Sequence, residues 1–596
     1  MLDYLEPPQL AWQGTAPRSL IFDDVYAQPG DSRAETDYVF LRGNDLPERW
    51  RGRSRFVVGE TGFGTGLNFL ATWQRFRDTA APDAVLHYLA VERYPLAGSD
   101  LARAHRAWPD LEPLALELQA AYPPLEPGFH PLRLDGGRVR LLLIFDDASD
   151  GLGQLQAAVD AWYLDGFAPG KNPAMWNEGL LKRVGALTVD GGSVATFTAA
   201  GQVRRDLEAA GFAVERRSGF GAKREMLVGR RVGGLPRSPG RIGGKRATVV
   251  GGGLAGVGAA RALAERGFAV TLVENQGALA GGASGNAAGL VMPLTAAERS
   301  PNQRWYGAGY GHTLARLAEL QVPWRACGVL QGAWNAREVD RQEGLLTRLR
   351  PPATSVRGVS AAEATDLSGL AVSWSGVFYP GGGVVAPAVL CQHWLEGLGE
   401  VEQVHHRQVS TLTPTPLGWR VADADGVIAT AEVLVLAVGA TAPVLAPLAD
   451  LPLRPVRGQL SALAATPQSR ALATAVCTAG YVLPAAEDLH WLGATYDHHS
   501  DSPLPDAVGH RHNLAQLQQG FPALAAALGP DPLGRIVGGR AAVRATTPDR
   551  LPVVGPVLDS AAFGTPLPQI PPGTPRDGYP PLPLLPGLYA SLGHGS

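Results

Sequence analysis

The chain contains two places where an apolar strand pattern runs into a glycine-rich turn and then into a helical pattern. The first is RFVVGETGFGTGLNFLATW (55–73), and the second is ATVVGGGLAGVGAARALAERG (247–267). A strand, a glycine turn and a helix in this order begin the nucleotide-binding folds of the α/β class, in which helices cover a largely parallel sheet. Two such beginnings in a chain of 596 residues predict two α/β domains.

The boundary between the predicted domains falls in VGGLPRSPGRIGGKR (232–246), which is rich in glycine, proline and basic residues and lacks hydrophobic periodicity. We therefore predict a first domain over residues 1–235, a linker over 236–246 and a second domain over 247–596. A Pro-rich segment near the end of the chain (563–587) is predicted to be a surface loop before the last strand.

Cysteine usage and hydrophobicity point to the reducing cytosol. Cys327, Cys391 and Cys477 lie far apart and lack metal-ligand spacing, so neither disulfides nor a metal site are predicted. The N-terminus has no signal-peptide pattern, and the longest apolar run (433–449) is interrupted by a glycine and a proline. We expect a soluble, cytoplasmic monomer without a membrane segment.

Positive charge is concentrated in one segment, although the formal net charge of −3 argues against a generally basic nucleic-acid-binding surface. The segment from Arg216 to Arg246, called here the basic stripe, holds ten Lys or Arg residues and one acid, Glu225. Such a stripe can neutralise nucleic-acid phosphates. A solvated linker kept basic for solubility is the alternative.

The first glycine turn favours S-adenosylmethionine as its ligand. Gly62, Gly64 and Gly66 lie at alternate positions, and glycine lets the backbone approach a ligand closely. Glu60 precedes the turn and is predicted to contact the cofactor, and no G-K-[ST] follows the turn, which excludes a P-loop. The next predicted strand ends in Glu92, whose carboxylate can accept both hydroxyls of a ribose. A purely structural turn is the alternative for a glycine cluster alone.

The second glycine turn carries the dinucleotide-binding fingerprint. Gly251, Gly253 and Gly256 lie between a strand and a helix, and the following strand ends in Glu274, about 20 residues on. The helix N-terminus is predicted to hold a pyrophosphate, because its free N–H groups and dipole favour negative charge. Glu274 is predicted to hold the adenosine ribose.

A further small-residue stretch, LAGGASGNAAGLVMP (279–293), follows this fingerprint. It favours FAD over NAD, because the longer cofactor requires a further stretch of backbone contact. Ser284 and Asn286 are its candidate cofactor contacts.

Longer segments of the chain resemble one family. DAWYLDGFAPGKNPAMW (160–176) and ATFTAAGQVRRDLEAAGF (195–212) resemble the methyltransferase half of the bifunctional tRNA 5-methylaminomethyl-2-thiouridine biosynthesis family. PVRGQL (455–460) and GRAAVRATTPDRLPVVG (539–555) resemble its FAD-dependent half, which is related to D-amino acid and glycine oxidases. The resemblance implies a Rossmann-like methyltransferase domain, followed by an FAD-binding Rossmann-type domain with a mixed-sheet substrate subdomain.

The resemblance also implies roles for individual residues. Asp165 would lie at the methyl-transfer centre, where a carboxylate could orient a substrate amine and take up its proton; a helix N-cap is the alternative. Asp147 matches the acid near the adenine, although Asp146 stands where the family usually has glycine. Arg544 lies where related oxidases place an arginine for a substrate carboxylate, and a surface ion pair is the alternative.

The implied function is a two-step modification of the wobble uridine of certain tRNAs. The FAD domain would remove the carboxymethyl group of 5-carboxymethylaminomethyl-(2-thio)uridine, and the N-terminal domain would methylate the resulting amine with S-adenosylmethionine. The basic stripe would contact tRNA phosphates while the base is extruded from the anticodon loop. Two alternatives are a small-molecule amine oxidase fused to a methyltransferase, and a chain that only methylates.

The segment LYASLGHGS (588–596) predicts a strand followed by a tight turn. In the family that it resembles, the turn leads into Arg-Gly and a final helix whose N-terminus points at the flavin. Because the printed sequence stops at Ser596, the predicted C-terminal helix is missing from it. We therefore expect His594 at the flavin edge, weak FAD retention and an impaired oxidase step.

Overall fold

A computed structural model describes residues 2–26, 30–221, 223–236, 245–399, 401–563 and 582–595. Most of the predicted linker and most of the Pro-rich segment lie outside the described residues. The chain forms two compact units, Met1–Arg241 with Thr347–Pro352, and Ile242–Leu346 with Ala353–Ser596. In the described part of the chain, no helix combines the length and the apolar character needed to cross a bilayer.

The first unit contains the following strands and helices in chain order: β1 (Leu10–Gln13), β2 (Ala16–Ser19), β3 (Asp24–Val25), α1 (Ser32–Glu35), β4 (Arg55–Glu60), α2 (Leu67–Thr79), β5 (Val85–Glu92), α3 (Gly98–His105), α4 (Glu112–Ala121), β6 (Gly128–Leu134), β7 (Val139–Phe145), α5 (Ala148–Gly153), β8 (Val159–Tyr163), α6 (Glu178–Ala186), β9 (Thr188–Thr196), α7 (Gly201–Ala209), β10 (Phe212–Ser218) and β11 (Glu225–Arg231).

The main sheet of the first unit has the strand order β10-β11-β9-β8-β4-β5-β7-β6. Its five central strands are parallel, and antiparallel strands close both edges. Strand β4 is buried on both faces: Phe56 and Val58 join one hydrophobic cluster, whereas Val57 between them joins another. Because successive side chains of a strand point to opposite faces, this burial requires helices on both sides of the sheet.

The second unit contains the following strands and helices in chain order: β12 (Arg246–Val250), α8 (Leu254–Ala264), β13 (Ala269–Val273), β14 (Gly289–Val291), α9 (Pro301–Glu319), β15 (Val329–Gly332), α10 (Ala336–Gly344), β16 (Arg357–Val359), α11 (Ala361–Ser368), β17 (Gly376–Tyr379), β18 (Gly383–Val385), α12 (Pro387–Leu395), β19 (Val401–Val404), β20 (Thr411–Thr415), β21 (Gly418–Asp423), β22 (Gly426–Ala431), β23 (Val433–Leu436), β24 (Arg454–Ala464), β25 (Ala475–Cys477), β26 (Tyr481–Val482), β27 (Leu489–Gly493), α13 (Ala507–Gly520), α14 (Pro522–Ala527), β28 (Ile536–Thr546), β29 (Val553–Leu558), α15 (Ser560–Phe563) and β30 (Leu584–Leu592).

Two large sheets organise the second unit. The nucleotide-type sheet has the order β19-β13-β12-β23-β30-β29, with only β29 antiparallel to its neighbour. The other sheet has the order β16-β17-β15-β25-β26-β27-β24-β28 and mixes antiparallel pairs with one parallel pair, β15 and β25. The predicted α/β class, with a Rossmann-type sheet in each half and a mixed sheet in the second, is confirmed.

Candidate functional site

In the first unit, the predicted site residues gather at the carboxyl edge of the parallel strands. Glu60 ends β4, Glu92 ends β5, and Asp165 follows β8. Strand β4 lies between β5 and β8, so the chain passes to opposite sides of β4 in its first and later crossovers. Such a topological switch point opens a crevice outside the strand ends, where α/β proteins bind their ligands.

The first glycine turn is packed closely against the segment that carries Asp165. Gly64 and Gly66 adopt the left-handed region, with φ of 51° and 74°. A Cβ added at Gly62 would lie 3.0 Å from the carbonyl oxygen of Asp165, and the Thr61 hydroxyl donates to that same oxygen at 2.8 Å. The turn therefore fixes the backbone of Asp165 as well as shaping its own concave surface.

Glu92 accepts hydrogen bonds from the glycine turn and from the backbone that follows its own strand. One carboxylate oxygen accepts from the N–H of Gly64 and the other from the N–H of Tyr94, both at 2.8 Å. A carboxylate offers about four acceptor positions, so these backbone donors leave acceptor capacity for a ligand's hydroxyl. This geometry fits the predicted contact with a ribose.

Asp165 is a partly exposed carboxylate that the protein holds by both oxygens. Oδ1 accepts from the N–H of Gly166 at 2.8 Å, and Oδ2 accepts from the side-chain amide of Asn68 at 2.7 Å. Burial raises the pKa of Asp165 to about 6, against the effect of these donors. No helix begins at Asp165 in the described chain, so the N-cap alternative does not apply. The carboxylate can therefore accept a proton near neutral pH.

Glu60 is placed differently from the sequence prediction. Its side chain is 0% exposed, and its two oxygens accept from the Asn68 amide at 2.7 Å and the Tyr88 hydroxyl at 2.9 Å. This geometry does not favour the predicted contact between Glu60 and a cofactor, because the carboxyl group is enclosed by the protein and hydrogen-bonded within it. Asn68 and Tyr88 were not singled out from the sequence.

Asp147 and Asp146 have separate structural roles beside this edge. Asp147 caps α5 by accepting from the N–H of Ser149 at 3.0 Å, and it pairs with Arg93 at 2.9 Å. Asp146 is 0% exposed and accepts from the backbone N–H groups of Leu2, at 3.0 Å, and Asp147, at 2.9 Å. The acid that replaces the family's glycine is therefore buried and hydrogen-bonded.

Aromatic side chains that the sequence analysis did not identify lie beside the first glycine turn. Phe22 stacks on Phe167 with ring centroids 4.9 Å apart, and Tyr26 meets Phe167 edge-on at 5.1 Å. A Cβ added at Gly64 would lie 3.2 Å from the Tyr26 ring. The segment FDDVY (22–26) therefore forms one wall of the site. The sequence analysis did not place it there, because it lies far from the glycine turn in sequence.

A cavity of about 380 Å³ opens next to the segment that follows Asp165. Its lining includes Ala168, Phe197, Lys223 and Arg224. The Lys223 ammonium stands 4.2 Å from the centre of the Phe197 ring and pairs with Glu35 at 2.7 Å. The cavity therefore combines an aromatic surface with two cationic side chains.

Much of the basic stripe is already paired with acids. Arg216 pairs with Glu225 at 3.0 Å, Arg217 with Glu215 and Asp45, Arg230 with Asp45, and Arg246 with Glu432. Arg237 and Arg241 lie outside the described residues. Arg224 is exposed and has no ion-pair partner in the part of the chain that the structure describes.

In the second unit, two glycines allow the backbone to pack where no side chain fits. Gly251 has a φ of 108°, and a Cβ added there would lie 2.4 Å from the carbonyl oxygen of Ala437. A Cβ added at Gly256 would lie 1.8 Å from the carbonyl oxygen of Gly251. These contacts bring β12, α8 and the end of β23 together, as the predicted fingerprint requires.

Glu274 repeats the arrangement of Glu92. Its carboxylate accepts from the N–H of Gly252 at 2.6 Å and from the N–H of Gln276 at 2.8 Å. The side chain is 6% exposed. Its remaining lone pairs fit the predicted contact with an adenosine ribose.

The small-residue stretch after Glu274 is held in place by side chains. Ser284 Oγ, 3.0 Å from a Cβ that would be added at Gly253, accepts from the N–H of Leu254 at 3.1 Å, at the start of α8. Asn286 Oδ1 accepts from Arg540 at 3.0 Å, and Arg540 also donates to the carbonyl oxygen of Gly281 at 3.1 Å. Arg540, on β28, is a supporting residue that the sequence analysis missed.

Arg544 lies on the same strand as Arg540, with its guanidinium 5.1 Å from the centre of the Tyr496 ring. Its Nε is buried without a hydrogen-bond partner among the described residues, and burial lowers the pKa of the guanidinium. No ion pair of Arg544 occurs within the described ranges, so the surface-pair alternative is not supported. A buried donor without a partner fits the binding of an anion such as a carboxylate.

His594 follows β30 and approaches Ser591, with its Nε2 3.0 Å from the Ser591 hydroxyl. Strand β30 is parallel to β23, which is parallel to β12. His594 therefore leaves the sheet at the same edge as Gly251.

Comparisons with known proteins find matches in both halves of the chain. Residues 246–596 match the family model of FAD dependent oxidoreductases, and residues 109–232 match that of S-adenosyl-L-methionine-dependent methyltransferases. The glycine oxidase of Geobacillus kaustophilus, a solved structure, is 23% identical with a TM-score of 0.47; the match covers 59% of this chain and 90% of that one.

Two curated relatives match almost the whole chain. The tRNA 5-methylaminomethyl-2-thiouridine biosynthesis bifunctional protein MnmC of Ectopseudomonas mendocina is 42% identical, over 99% of this chain and 91% of the relative. The protein of the same name from Pseudomonas fluorescens Pf-5 is 40% identical, over 100% of this chain and 93% of the relative. With this identity over nearly its whole length, and with both family models matched, the chain belongs to the MnmC family of bifunctional tRNA 5-methylaminomethyl-2-thiouridine biosynthesis proteins.

Proposed function

We propose that this protein performs two consecutive steps on the wobble uridine of tRNA. The second unit would oxidatively remove the carboxymethyl group of 5-carboxymethylaminomethyl-(2-thio)uridine, and the first would methylate the resulting 5-aminomethyl group. The observation that carries the proposal is that one chain holds two complementary groups: a proton-accepting carboxylate, Asp165, in the first unit, and a half-buried guanidinium, Arg544, whose Nε is buried, in the second. One suits the substrate's amine and the other its carboxylate.

We assign S-adenosylmethionine to residues 1–235, FAD to residues 247–596, and the linker to 236–246. When bound, S-adenosylmethionine supplies an electrophilic methyl group, and FAD supplies a two-electron acceptor for the C–H bond beside the substrate nitrogen. The sites fit these cofactors because Glu92 and Glu274 each keep acceptor capacity for ribose hydroxyls beside a glycine turn, and Gly62, Gly251 and Gly256 let these turns pack closely against the protein's own backbone. The residues that we assign to cofactor contact are Gly62, Gly64, Gly66, Glu92 and Asp147 in the first site, and Gly251, Gly253, Gly256, Glu274, Ser284, Asn286 and His594 in the second.

In the methylation step, Asp165 would orient the substrate's amino group and take up one of its protons. Loss of this proton would leave the nitrogen lone pair free to accept the methyl group that S-adenosylmethionine supplies when it is bound. Asp165 can take part near neutral pH because its pKa of about 6 leaves the carboxyl largely ionised there.

In the oxidation step, Arg544 would bind the carboxylate of the carboxymethyl group. The aromatic ring of Tyr496 lies against the Arg544 guanidinium. The buried Nε–H of Arg544 has no hydrogen-bond partner among the described residues and can donate to a substrate carboxylate. A charge-assisted bond of this kind is stronger in an enclosed site than at the surface. Arg544 would thereby orient the C–H bond that is oxidised.

The cavity beside Asp165 supports the proposed tRNA substrate. An unstacked base can lie against an aromatic ring such as Phe197, and the cationic side chains of Lys223 and Arg224 can approach phosphates. We propose that the basic stripe contributes to tRNA binding chiefly through Arg224, since many of its other cations are paired.

Action on tRNA would place the protein in the cytoplasm, and we propose that it acts as a monomer.

The test is an incubation of the purified protein with tRNA that carries 5-carboxymethylaminomethyl-2-thiouridine, followed by nucleoside analysis. The 5-aminomethyl nucleoside is expected without S-adenosylmethionine, and the 5-methylaminomethyl nucleoside is expected with it. Visible flavin absorbance of the purified protein checks the oxidase half separately. Recovery of the 5-carboxymethylaminomethyl nucleoside unchanged, together with turnover of free sarcosine or glycine, would contradict the proposal.

Replacing Arg544 with lysine is expected to raise the KM for the carboxymethylated tRNA by about 10- to 100-fold. A compact ammonium cannot reproduce the planar donor geometry of guanidinium, and a hydrogen bond to a charged group is worth about 1.5–3 kcal/mol. Steady-state oxidation kinetics measure the change. Arg470→Lys, at an exposed arginine paired with Asp488, is the control. An unchanged KM would remove Arg544 from the substrate site.

Replacing Arg224 with glutamine is expected to weaken tRNA binding and to reduce the slope of log Kd against log salt by about one phosphate contact. The charge is lost from an exposed side chain without an ion-pair partner in the described part of the protein. Filter binding over a range of salt concentrations measures both effects. Lys182→Gln, which removes a cation already paired with Glu178 on α6, provides the comparison. Equal slopes for the two variants would argue against a role of Arg224.

A further inference from the structure

Asn68 joins two carboxyl groups in the interior of the first unit. Its side-chain nitrogen donates to Oε1 of Glu60 and to Oδ2 of Asp165, both at 2.7 Å, and its oxygen accepts from the Thr36 hydroxyl at 2.8 Å. Asn68 is 7% exposed. Carboxylates can only accept, so the amide nitrogen must face them, and all three partners together fix the orientation of the amide.

Glu60 is enclosed more completely than Asp165. It is 0% exposed, and the other carboxyl groups that act on it are Asp165 and Glu92. Burial raises the pKa of Glu60 well above its ordinary value, and repulsion from Asp165 adds to this; the donors Asn68 and Tyr88 oppose it. Two carboxyl groups bridged by one amide resist carrying two charges at once.

Neutral Glu60 remains compatible with its hydrogen bonds. A proton on Oε2 can be donated to the Tyr88 oxygen across the same 2.9 Å contact, with donor and acceptor exchanged. Oε1 then remains free to accept from Asn68. The hydrogen bond from Asn68 to Glu60 therefore survives protonation.

Apart from Glu60, two charged groups act on the pKa of Asp165 in opposite directions. Lys223 lowers the pKa of Asp165 and Glu35 raises it, and these two residues pair with each other at 2.7 Å. The N–H of Gly166 and the amide of Asn68 are the donors that stabilise the charged form of Asp165 directly. Of these two, only Asn68 is itself anchored by a second carboxyl group.

We propose that Glu60 and Asn68 are positioning residues for Asp165: neutral Glu60 accepts one N–H of Asn68, which fixes the other N–H on Asp165 and leaves Asp165 as the charged member of the two bridged carboxyl groups. This proposal rests on the methyl transfer proposed above. Glu60 and Asn68 act on Asp165 and not on the methyl donor. They therefore set the pH above which Asp165 is ionised and can accept a proton.

The first test measures the acid limb of kcat/KM for methylation of tRNA that carries the 5-aminomethyl nucleoside. Asn68→Ala removes a donor to the charged form, so the midpoint of the limb is expected to move up by about one pH unit. Asn177→Ala, which removes the N-cap of α6, is the control for general destabilisation and is expected to leave the midpoint in place. An unmoved midpoint in Asn68→Ala would overturn the role of Asn68.

The second test concerns the charge of Glu60 and needs no activity. If Glu60 is neutral in the folded protein and ionised when unfolded, it loses its stabilising contribution as the pH rises above about 4.5. The melting temperature of Glu60→Gln relative to the parent is therefore expected to rise between about pH 5 and pH 8. A constant difference across this range would show a charged Glu60 and overturn the proposal.

The two tests separate this proposal from the proposed function. Glu60→Gln is expected to keep the midpoint of the acid limb, because glutamine can replace both hydrogen bonds, whereas Glu60→Leu is expected to shift it as Asn68→Ala does. Failure of the parent protein to methylate tRNA at any pH would contradict the proposed function, while the melting experiment would still report on Glu60. A midpoint shift in Glu60→Gln would contradict the neutral state.

Discussion

Replacing Asp165 with asparagine is expected to slow methyl transfer to 5-aminomethylated tRNA by a factor of about 10² to 10⁴, the range for loss of a positioned general base. The amide has nearly the same size and can still accept from the N–H of Gly166, but it cannot take up the amine's proton. Single-turnover transfer from labelled S-adenosylmethionine measures the rate directly. Because the tRNA already carries the 5-aminomethyl nucleoside, the flavin step is not needed.

The matched control for this variant is Asp78→Asn, an exposed aspartate on α2 in the same unit. Affinity for S-adenosylmethionine, measured by calorimetry, is expected to be retained in both variants. The parent rate is expected to fall as the pH drops through about 6, because protonated Asp165 cannot act as a base. A rate for Asp165→Asn close to that of the control would mean that another group takes the proton.

The second large effect is expected from Gly256→Ala in the FAD-binding half. The added Cβ would lie 1.8 Å from the carbonyl oxygen of Gly251, so the turn and the start of α8 must move apart. Overpacking of this kind costs about 1–3 kcal/mol, which corresponds to a loss of FAD affinity of about 5- to 150-fold if the strain falls on the bound state. Flavin content and titration of apoprotein with FAD measure the loss.

Gly258→Ala is the control for this change, since it lies on the same helix and its Cβ would meet only the Trp394 side chain, at 3.5 Å. Alanine is favoured over glycine in a helix, so this variant is expected to bind FAD normally. Methylation of 5-aminomethylated tRNA is expected to be unaffected by either substitution. Normal flavin content in Gly256→Ala would contradict the close packing of the turn.

Local sequence patterns were sufficient to predict the cores of both halves. Each glycine turn follows a buried strand and precedes a helix, because turn chemistry and hydrophobic period are properties of neighbouring residues. For the same reason Glu92 ends the next strand of the first half, and Glu274 directly follows the next strand of the second. The prediction of a mixed sheet in the second half rested on family resemblance instead, since most of its strands, apart from β24 and β28, are short and carry little periodic signal of their own.

The role of Glu60 shows where local patterns were insufficient. An acid before a glycine turn resembles a cofactor contact, yet here the side chain is enclosed by Asn68 and Tyr88. Tyr88 lies one strand away in the sheet, and only strand pairing brings its hydroxyl to Glu60. Asn68 lies on the first turn of α2, close to the glycine turn. No pattern in the sequence identified Asp165 as its hydrogen-bond partner.

The sequence by itself determined that two nucleotide-type folds follow each other, where their glycine turns lie and which strand ends carry acids. These features follow from interactions between residues close in the chain. The tertiary structure alone decided which distant side chains bind each other: Asn68 donates a hydrogen bond to Asp165, Arg540 donates one to Asn286, and Lys223 forms an ion pair with Glu35. Such contacts join residues far apart in sequence, and their burial, which sets their pKa and hydrogen-bond strength, exists only once the sheets have assembled.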